Sequence, residues 1–453
     1  MSIITQKTSN SEKISTSVSD FFHRFHVASA LKKSNAVHKR GFSVPVIFSF
    51  LLASIFTNGS TYRFYQKQKE QLSFSDKTFR NVLNDPHIHW QKLLILVAKS
   101  VITFLRPLTG DARKTTFIVD DSMYTRSNAK KVECAALQYD HAKKKYFKGF
   151  RYLQLGWSDG NSFVPVAFSL LSGKRKLQSD LDIGDQRTNR GKRKAQALRK
   201  GTEVTLELLR SALNQGISAD YVLFDTWFSS PKMFQQIRDL KCHCVAMVKR
   251  SQKIYYRYQG QKMDVKEIFK RNKKRRGRSR YLLSVQVEAV VEGKILPIKL
   301  VYIRNRNKRN DYLVLASTDI DLTEDEIIQL YARRWSVEVY FKMCKQYLKL
   351  AKYQGISYDG IFAHTTLVAI GYMILAVQER ESKDDRTLGE LFYLLIDELS
   401  ELSVSEAILQ LLVLFQEAFA DEYVLDEAVL NNIIEQFLEK LPSSIQKQLK
   451  QAG

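Results

Sequence analysis

Between residues 115 and 248 the chain alternates short β-branched runs with amphipathic helical ones, and that order constrains its fold more than any other feature. Thr115-Thr116-Phe117-Ile118-Val119 ends in Asp120-Asp121-Ser122. Strand-like runs follow at 132–139, 149–157 and 163–171, with Gly156, Gly160 and Asn161 marking turns. Val204 to Leu213 has helical periodicity. Tyr221 to Phe224 is a short apolar strand ending in Asp225, Pro231 starts a second helix, and Cys242 to Val248 is a further strand. A strand meander followed by helix, strand, helix, strand predicts an α/β core. Between its two halves the polar segment Ser172 to Gly201, about 30 residues rich in Lys, Arg and Gly, is too long for a routine connection. It reads as a loop, either disordered or ordered by a ligand.

Further along, Tyr331 to Lys345 reads YARRWSVEVYFKMCK. Thr323 with Glu326 fits a capping box, and no Gly or Pro follows until Gly355, so one long helix is expected. On such a helix Tyr331, Arg334, Glu338 and Lys345 fall at about 0°, −60°, −20° and −40°, one stripe about 21 Å long. An ordinary surface pair between Arg334 and Glu338 would contribute only ~0.2–0.5 kcal/mol. The stripe gains meaning from the two acidic strand ends upstream and from the charge of the chain.

Net charge is +24 over 453 residues, unevenly spread. Residues 1–350 hold 64 Lys+Arg against 30 Asp+Glu, whereas 351–453 hold 7 against 17. A basic body of this kind favours a polyanion, most simply nucleic acid, and the acidic tail does not. Lys270 to Arg280 has eight cations in eleven residues, among them Lys273, Lys274, Arg275 and Arg276. Uncontacted, such a run is a solvated loop. It sits beside strands at Tyr281–Val291 and Ile295–Ile303, joined around Glu292-Gly293-Lys294 as a hairpin. From about residue 20 to 108 the pattern is helical, and Lys67, Lys69, Lys77 and Arg80 could equip one helix to enter a DNA groove. Phe42 to Phe56, about 15 residues with Pro45 inside, is too short to span a bilayer and reads as a buried helix. Ile361 to Val377 reads as another buried helix, and 387–453 as acidic, Leu-rich helices. Four cysteines form no C-x2-C pair and eight histidines no ligand cluster, so zinc is not expected. With a polar first 20 residues and no signal peptide expected, a reducing cytoplasm is the expected compartment.

A buried strand-end Asp is costly without a cation to meet it. Asp121 (or Asp120), Asp225 and Glu338 together would make a three-carboxylate site suited to Mg²⁺ or Mn²⁺. Two ions a few Å apart can activate a nucleophile and stabilise the leaving oxygen of an in-line phosphoryl transfer.

The residues Tyr331, Arg334, Glu338 and Lys345 match the Y-x2-R-x3-E-x6-K signature without a gap, Trp335 follows the Arg, and two Asp-bearing strands and a β insertion precede them in order. In this the chain resembles the DDE transposases of bacterial insertion sequences, over roughly residues 110–375. The resemblance implies an RNase H-like catalytic core and metal-dependent cut-and-paste transposition with two Mg²⁺ ions, Mn²⁺ able to substitute. It maps the catalytic and metal-binding triad onto Asp121, Asp225 and Glu338, Asp121 being chosen over Asp120 because the hydroxyl residue Ser122 follows it. It assigns Tyr331, Arg334 and Lys345 to DNA-end phosphates. Two departures are visible: no Trp lies in 249–317, and Thr226-Trp227 rather than Arg-Glu follows Asp225. Tyr255, Tyr256, Tyr258 or Tyr281 could stack an unpaired base instead.

The expected organisation is thus a helical DNA-end-binding domain at 1–108, an RNase H-like core at 109–248 and 319–378, a basic β insertion at 249–318, and an acidic helical assembly region at 379–453. The expected partners are duplex DNA, as terminal inverted repeats and target, and a second copy of the chain, with no membrane. A structure-directed nuclease on the same core and a non-catalytic end-binding repressor are the alternatives.

Overall fold

The computed structural model describes residues 17–38, 41–57, 59–110, 113–127, 131–140, 144–172, 183–276, 279–305 and 311–382. The acidic segment beyond residue 382, expected to be helical, lies outside them, as do the first 16 residues and the Lys- and Arg-bearing stretch at 173–182.

The polypeptide begins with helices: α1 (17–24), α2 (Val27–Lys33), α3 (Val44–Ile55), α4 (Thr61–Gln68), α5 (Asp76–Leu83) and α6 (Trp90–Leu105). Pro45 lies in the first turn of α3, where the missing N–H costs nothing, and the Phe42–Phe56 run is the buried helix expected of it. Four strands follow: β1 (Thr116–Thr125), β2 (Ala136–Asp140), β3 (Lys145–Ser158) and β4 (Phe163–Leu171). Next come α7 (Asn189–Ala197), α8 (Gly201–Asn214), β5 (Tyr221–Phe224), α9 (Pro231–Asp239) and β6 (His243–Met247). The third section is β7 (Tyr256–Tyr258), β8 (Gln261–Met263), α10 (Val265–Arg271), β9 (Tyr281–Val291), β10 (Lys294–Arg304) and β11 (Tyr312–Ser317). Helices α11 (Glu324–Ala332), α12 (Trp335–Gln346) and α13 (Tyr358–Ser382) close the described chain.

All eleven described strands join one sheet, mostly antiparallel, in the order β2-β3-β1-β5-β6-β11-β10-β9-β7-β8, with β4 also on β3. β1, β3 and β4 form an antiparallel meander, while β5 lies parallel to β1 and β6 parallel to β5. This is the meander-then-crossover order legible in the residues. The strands of 249–318 are not a separate sheet: β11 pairs antiparallel with β6 and carries β10 and β9 outward. Glu292 and Gly293, both at positive φ, make the β9–β10 turn, as expected of a two-residue hairpin connection. One hydrophobic core runs from Val18 to Val377, so the N-terminal helices pack into the same core as the sheet. Helix α13 is long and apolar enough to cross a membrane, but its apolar window is wholly buried inside the protein.

Three local expectations change. β1 does not stop at its acidic residues but runs through them to Thr125, paired throughout with β3. Its parallel pairing with β5 ends at Val119–Phe224, so the strand beyond has a neighbour on one side only. The segment 172–201 is not all loop, because 189–197 is helical. Thr188 caps α7, accepting from the Gly191 N–H, and the buried Arg193 anchors it. The third change is a break in the signature helix at Arg333 and Arg334. The Thr323–Glu326 capping box forms as expected, α11 ends at Ala332, and α12 restarts at Trp335 with Arg334 at its N-cap. Arg333 and Arg334 keep right-handed helical dihedrals, their N–H groups donating to the Leu330 and Tyr331 carbonyls, so the stripe passes through one tightened turn at Arg334.

Candidate active site

The site lies where the parallel pairing of β1 and β5 runs out, the crevice beyond strand carboxyl ends where open α/β sheets bind ligands. Val119 is the last residue of β1 paired with β5, opposite Phe224, so Asp120 and Asp225 follow side by side in the two chain segments. Over this opening α12 buries Val337, Tyr340, Phe341 and Cys344, spaced three, four and seven apart. The Tyr340 hydroxyl meets that of Tyr152 on β3 at 2.7 Å. This seating turns the neighbouring stripe, with Glu338 and Lys345, toward β1. Asp120, Asp121, Ser122, Asp225, Arg334, Glu338, Phe341, Lys342 and Lys345 line one cleft.

The two adjacent Asp residues are not equivalent, because successive side chains of a strand leave opposite faces. Asp120 and Ser122 face α12. Arg334 donates from Nη1 to Asp120 Oδ2 at 2.6 Å and from Nη2 to Glu338 Oε1 at 2.5 Å, and Lys345 Nζ donates to Ser122 Oγ at 2.6 Å. Asp121 is held instead by Arg151 of β3, whose Nε and Nη2 donate to its two oxygens at 2.8 and 2.6 Å. Arg151 also lies 4.7 Å over the ring of Trp227. The sequence-based choice of Asp121 thus meets a structure in which Asp120 shares Arg334 with Glu338 and stands beside Asp225, while Asp121 is neutralised by a separate arginine. Arg151 drew no notice in the sequence because its role depends on strand pairing thirty residues away. Lys342, a further cation at the cleft, was likewise missed, although it lies four residues after Glu338, one turn along the same helix.

Burial pushes the Asp120 carboxyl up to about 7; Arg334 works against this, and the nearby Asp225 charge adds to it. Asp225 is raised too, by burial first, with the Trp227 N–H that bonds its Oδ1 at 2.9 Å and the Arg334 charge opposing. Burial also raises the Tyr331 hydroxyl, to about 12, with Arg334 opposing. That hydroxyl is out of solvent, its ring beside Arg334. A carboxyl with a raised native pKa holds its proton more firmly folded than unfolded, so its contribution to stability is lost as pH rises from about 4 through 7. Asp120→Asn lacks this term. Relative to the parent, the variant is expected to gain on the order of 2–4 kcal/mol between pH 4.5 and 7.5, read from urea unfolding at both. A stability difference independent of pH would contradict the buried, proton-holding Asp120.

The donor set is all carboxylate oxygen, which suits a hard divalent cation. Among the described residues no three His, Cys, Asp or Glu side chains stand close enough to share an ion as they are. Arg334 instead bridges two of the carboxylates, its guanidinium bonded to Asp120 and to Glu338. The residues fit a divalent cation in kind, in an arrangement now closed by an arginine.

The remaining expected contacts divide. Lys270 and Arg271 end α10, and Lys273, Lys274, Arg275 and Arg276 follow as irregular chain. Lys274 lies over the Phe269 ring and Arg275 over that of Tyr281, so part of the run rests against aromatics. Tyr256 is buried and Tyr258 donates to Asn272, which leaves Tyr255, itself under Lys262, as the exposed ring of that set. Trp227, two residues after Asp225, and Trp335, beside Arg334 and 64% exposed, are larger exposed rings close to the cleft.

The family described as DDE superfamily endonuclease matches residues 68–292, just under half of the chain. The matched span includes both Asp-bearing strands and ends at the β9–β10 turn, short of Glu338. It supports a DDE transposase-like family and nuclease-type activity on DNA, and DDE endonuclease domains generally use divalent metal ions. The mixed α/β architecture with its mostly antiparallel central sheet is consistent with a DDE nuclease fold. No curated protein matches the chain.

Proposed function

We propose that this chain is a transposase of the Y-x2-R-x3-E-x6-K group, with an RNase H-like core that cuts DNA at the ends of an inserted element and joins the freed 3′-hydroxyl to new DNA. The observation that carries the reading is the convergence of Asp120, Asp121, Asp225 and Glu338 on one cleft with Arg334, Lys342 and Lys345. We take Asp120 as the first acid, in the place that the residue pattern alone gave to Asp121, because it shares Arg334 with Glu338 while Asp121 is paired with Arg151. When bound, two Mg²⁺ ions would supply charge neutralisation at the attacking and leaving oxygens. Asp120 and Asp225 would hold one side of that site, from adjacent strands that fix their spacing, and Glu338 the other, from α12. Lys342 and Lys345 orient the phosphodiester against those carboxylates. Positioning and neutralisation carry most of such a reaction, since phosphoryl transfer asks little covalent chemistry of the protein.

The basic body and a DNA substrate agree, and the four buried, unbridged cysteines suit a reducing compartment. A second copy of the chain to pair two ends, with the acidic C-terminal segment in that assembly, completes the proposal. The test is a donor plasmid carrying both terminal repeats, incubated with the protein and Mg²⁺. Excision with joined products supports transposition, cutting without joining favours a nuclease, and binding without cutting a repressor.

Within this reading Lys273, Lys274, Arg275 and Arg276 bind phosphates without reading sequence. Replacing all four with Gln is expected to weaken specific and random DNA alike. It should also flatten the plot of log K against log salt by about 0.9 for each phosphate no longer neutralised. An unchanged slope would show the run to be a solvated loop.

A further inference from the structure

Three basic side chains at the cleft are turned inward, onto the strand that carries its acids. Arg334 spans Asp120 and Glu338, Lys345 bonds Ser122, and Arg151 closes on Asp121. Of the three proposed ligands, two are thus already bonded to one guanidinium. Its planar fork suits a carboxylate pair and a phosphate equally well, but not both at once. Arg334 also stands at the break between α11 and α12, at the N-cap and not inside a helix, with a half-buried side chain beside the open cleft.

We propose that Arg334 is a positioning residue which takes the place of a divalent cation between Asp120 and Glu338 until a DNA phosphate draws its guanidinium away, so that cation and DNA bind with positive linkage. This rests on the transposase reading of the cleft. Without a counter-charge, Asp120, Asp225 and Glu338 would repel one another and the cleft would open. Arg334 supplies that counter-charge and keeps two of the carboxylates a guanidinium's width apart. While it stays, a dication entering beside it meets both its repulsion and carboxylate oxygens already in use. Once a phosphate accepts the guanidinium, both obstacles go together. Reciprocity then requires that the cation raise DNA affinity by the same factor that DNA raises cation affinity. Arg334 precedes the first residue of α12, so rotation about its side-chain bonds leaves that helix as it is.

The experiment is Mn²⁺ titration of the full-length protein, free Mn²⁺ being read by electron paramagnetic resonance, with and without a short random-sequence duplex. For the wild type the duplex is expected to tighten Mn²⁺ binding on the order of tenfold. Arg334→Gln is expected to bind Mn²⁺ that much more tightly without DNA and to gain less than twofold from the duplex. Arg334→Lys, which keeps the charge but not the fork that spans both carboxylates, should bind Mn²⁺ with an affinity between those of the wild type and Arg334→Gln. Thermal melting confirms that each variant is folded, and the wild-type response to DNA needs no variant at all. Wild-type Mn²⁺ affinity that ignores the duplex, or Arg334→Gln binding no tighter than the wild type, overturns the exchange. Asp120→Asn, combined with Arg334→Gln, separates this failure from a deeper one. If that double variant binds Mn²⁺ less well than Arg334→Gln, the ion sits at these carboxylates. If it binds equally well, or if none of the proteins binds Mn²⁺, the metal-site reading falls and the exchange falls with it.

Discussion

Asp120→Asn, Asp225→Asn and Glu338→Gln are each expected to lower DNA cleavage at the element's ends by roughly a thousandfold or more while leaving DNA binding close to normal. Each change keeps size and removes one negative charge from the cleft, so the cation that stabilises the developing charge is lost. Binding depends on many cations spread over the basic body and should survive, or tighten slightly as a repelling carboxylate is neutralised. Asp121→Asn is the control that the structure supplies. Its carboxylate is bonded to Arg151 and leaves the opposite face of β1 from Asp120, so cleavage is expected to fall by no more than about tenfold. Labelled DNA ends, scored for cleavage beside a mobility-shift titration, distinguish the four variants. Near-normal cleavage by Glu338→Gln would sink the three-carboxylate mechanism. Strong loss in Asp121→Asn with activity kept in Asp120→Asn would return the first ligand to Asp121.

Asp359→Asn is expected to cost about 3–5 kcal/mol of stability. Asp359 is fully buried in the first turn of α13 and accepts from Arg190 and Arg193 of α7. Arg193 is itself buried, with Nη1 donating to the Ile88 carbonyl at 2.6 Å, and Arg190 Nη2 donates to the Asn84 carbonyl at 3.0 Å. Two arginines thereby tie α7, α13 and the α5–α6 turn together through one carboxylate. The amide keeps the shape but removes the charge, leaving Arg193 in the interior without its counter-ion. Urea unfolding followed by circular dichroism measures the loss, and a change below about 1 kcal/mol would show that the cluster is hydrated or easily rearranged. Partial loosening of α7 should appear first as faster proteolysis near residue 190.

Where one residue's chemistry speaks only to its neighbours in the chain, the amino-acid sequence was sufficient. Thr323 and Glu326 form their capping box, Pro45 and Pro231 open their helices, and Glu292-Gly293 turns its hairpin. The strand order from β1 to β6 follows from apolar runs and their punctuation, and the spacing of Arg334 and Glu338 places them within one turn of each other. What the tertiary structure decided depends on register and on distant partners. Asp120 and Asp121 differ by one position, which on a strand is a whole face: both border the cleft, and only their partners, Arg334 for the first and Arg151 for the second, distinguish them. The helix break at residues 333–334 carries no Gly or Pro. It becomes intelligible where Arg333 reaches the Lys114 carbonyl and Arg334 reaches Asp120, more than two hundred residues away. Helix α7 looks like a polar loop in isolation because its two anchoring arginines find their carboxylate on α13. Local propensities are set by neighbouring residues, whereas a buried charge is satisfied by whichever partner the folded chain brings to it, and no spacing along the sequence encodes that partner.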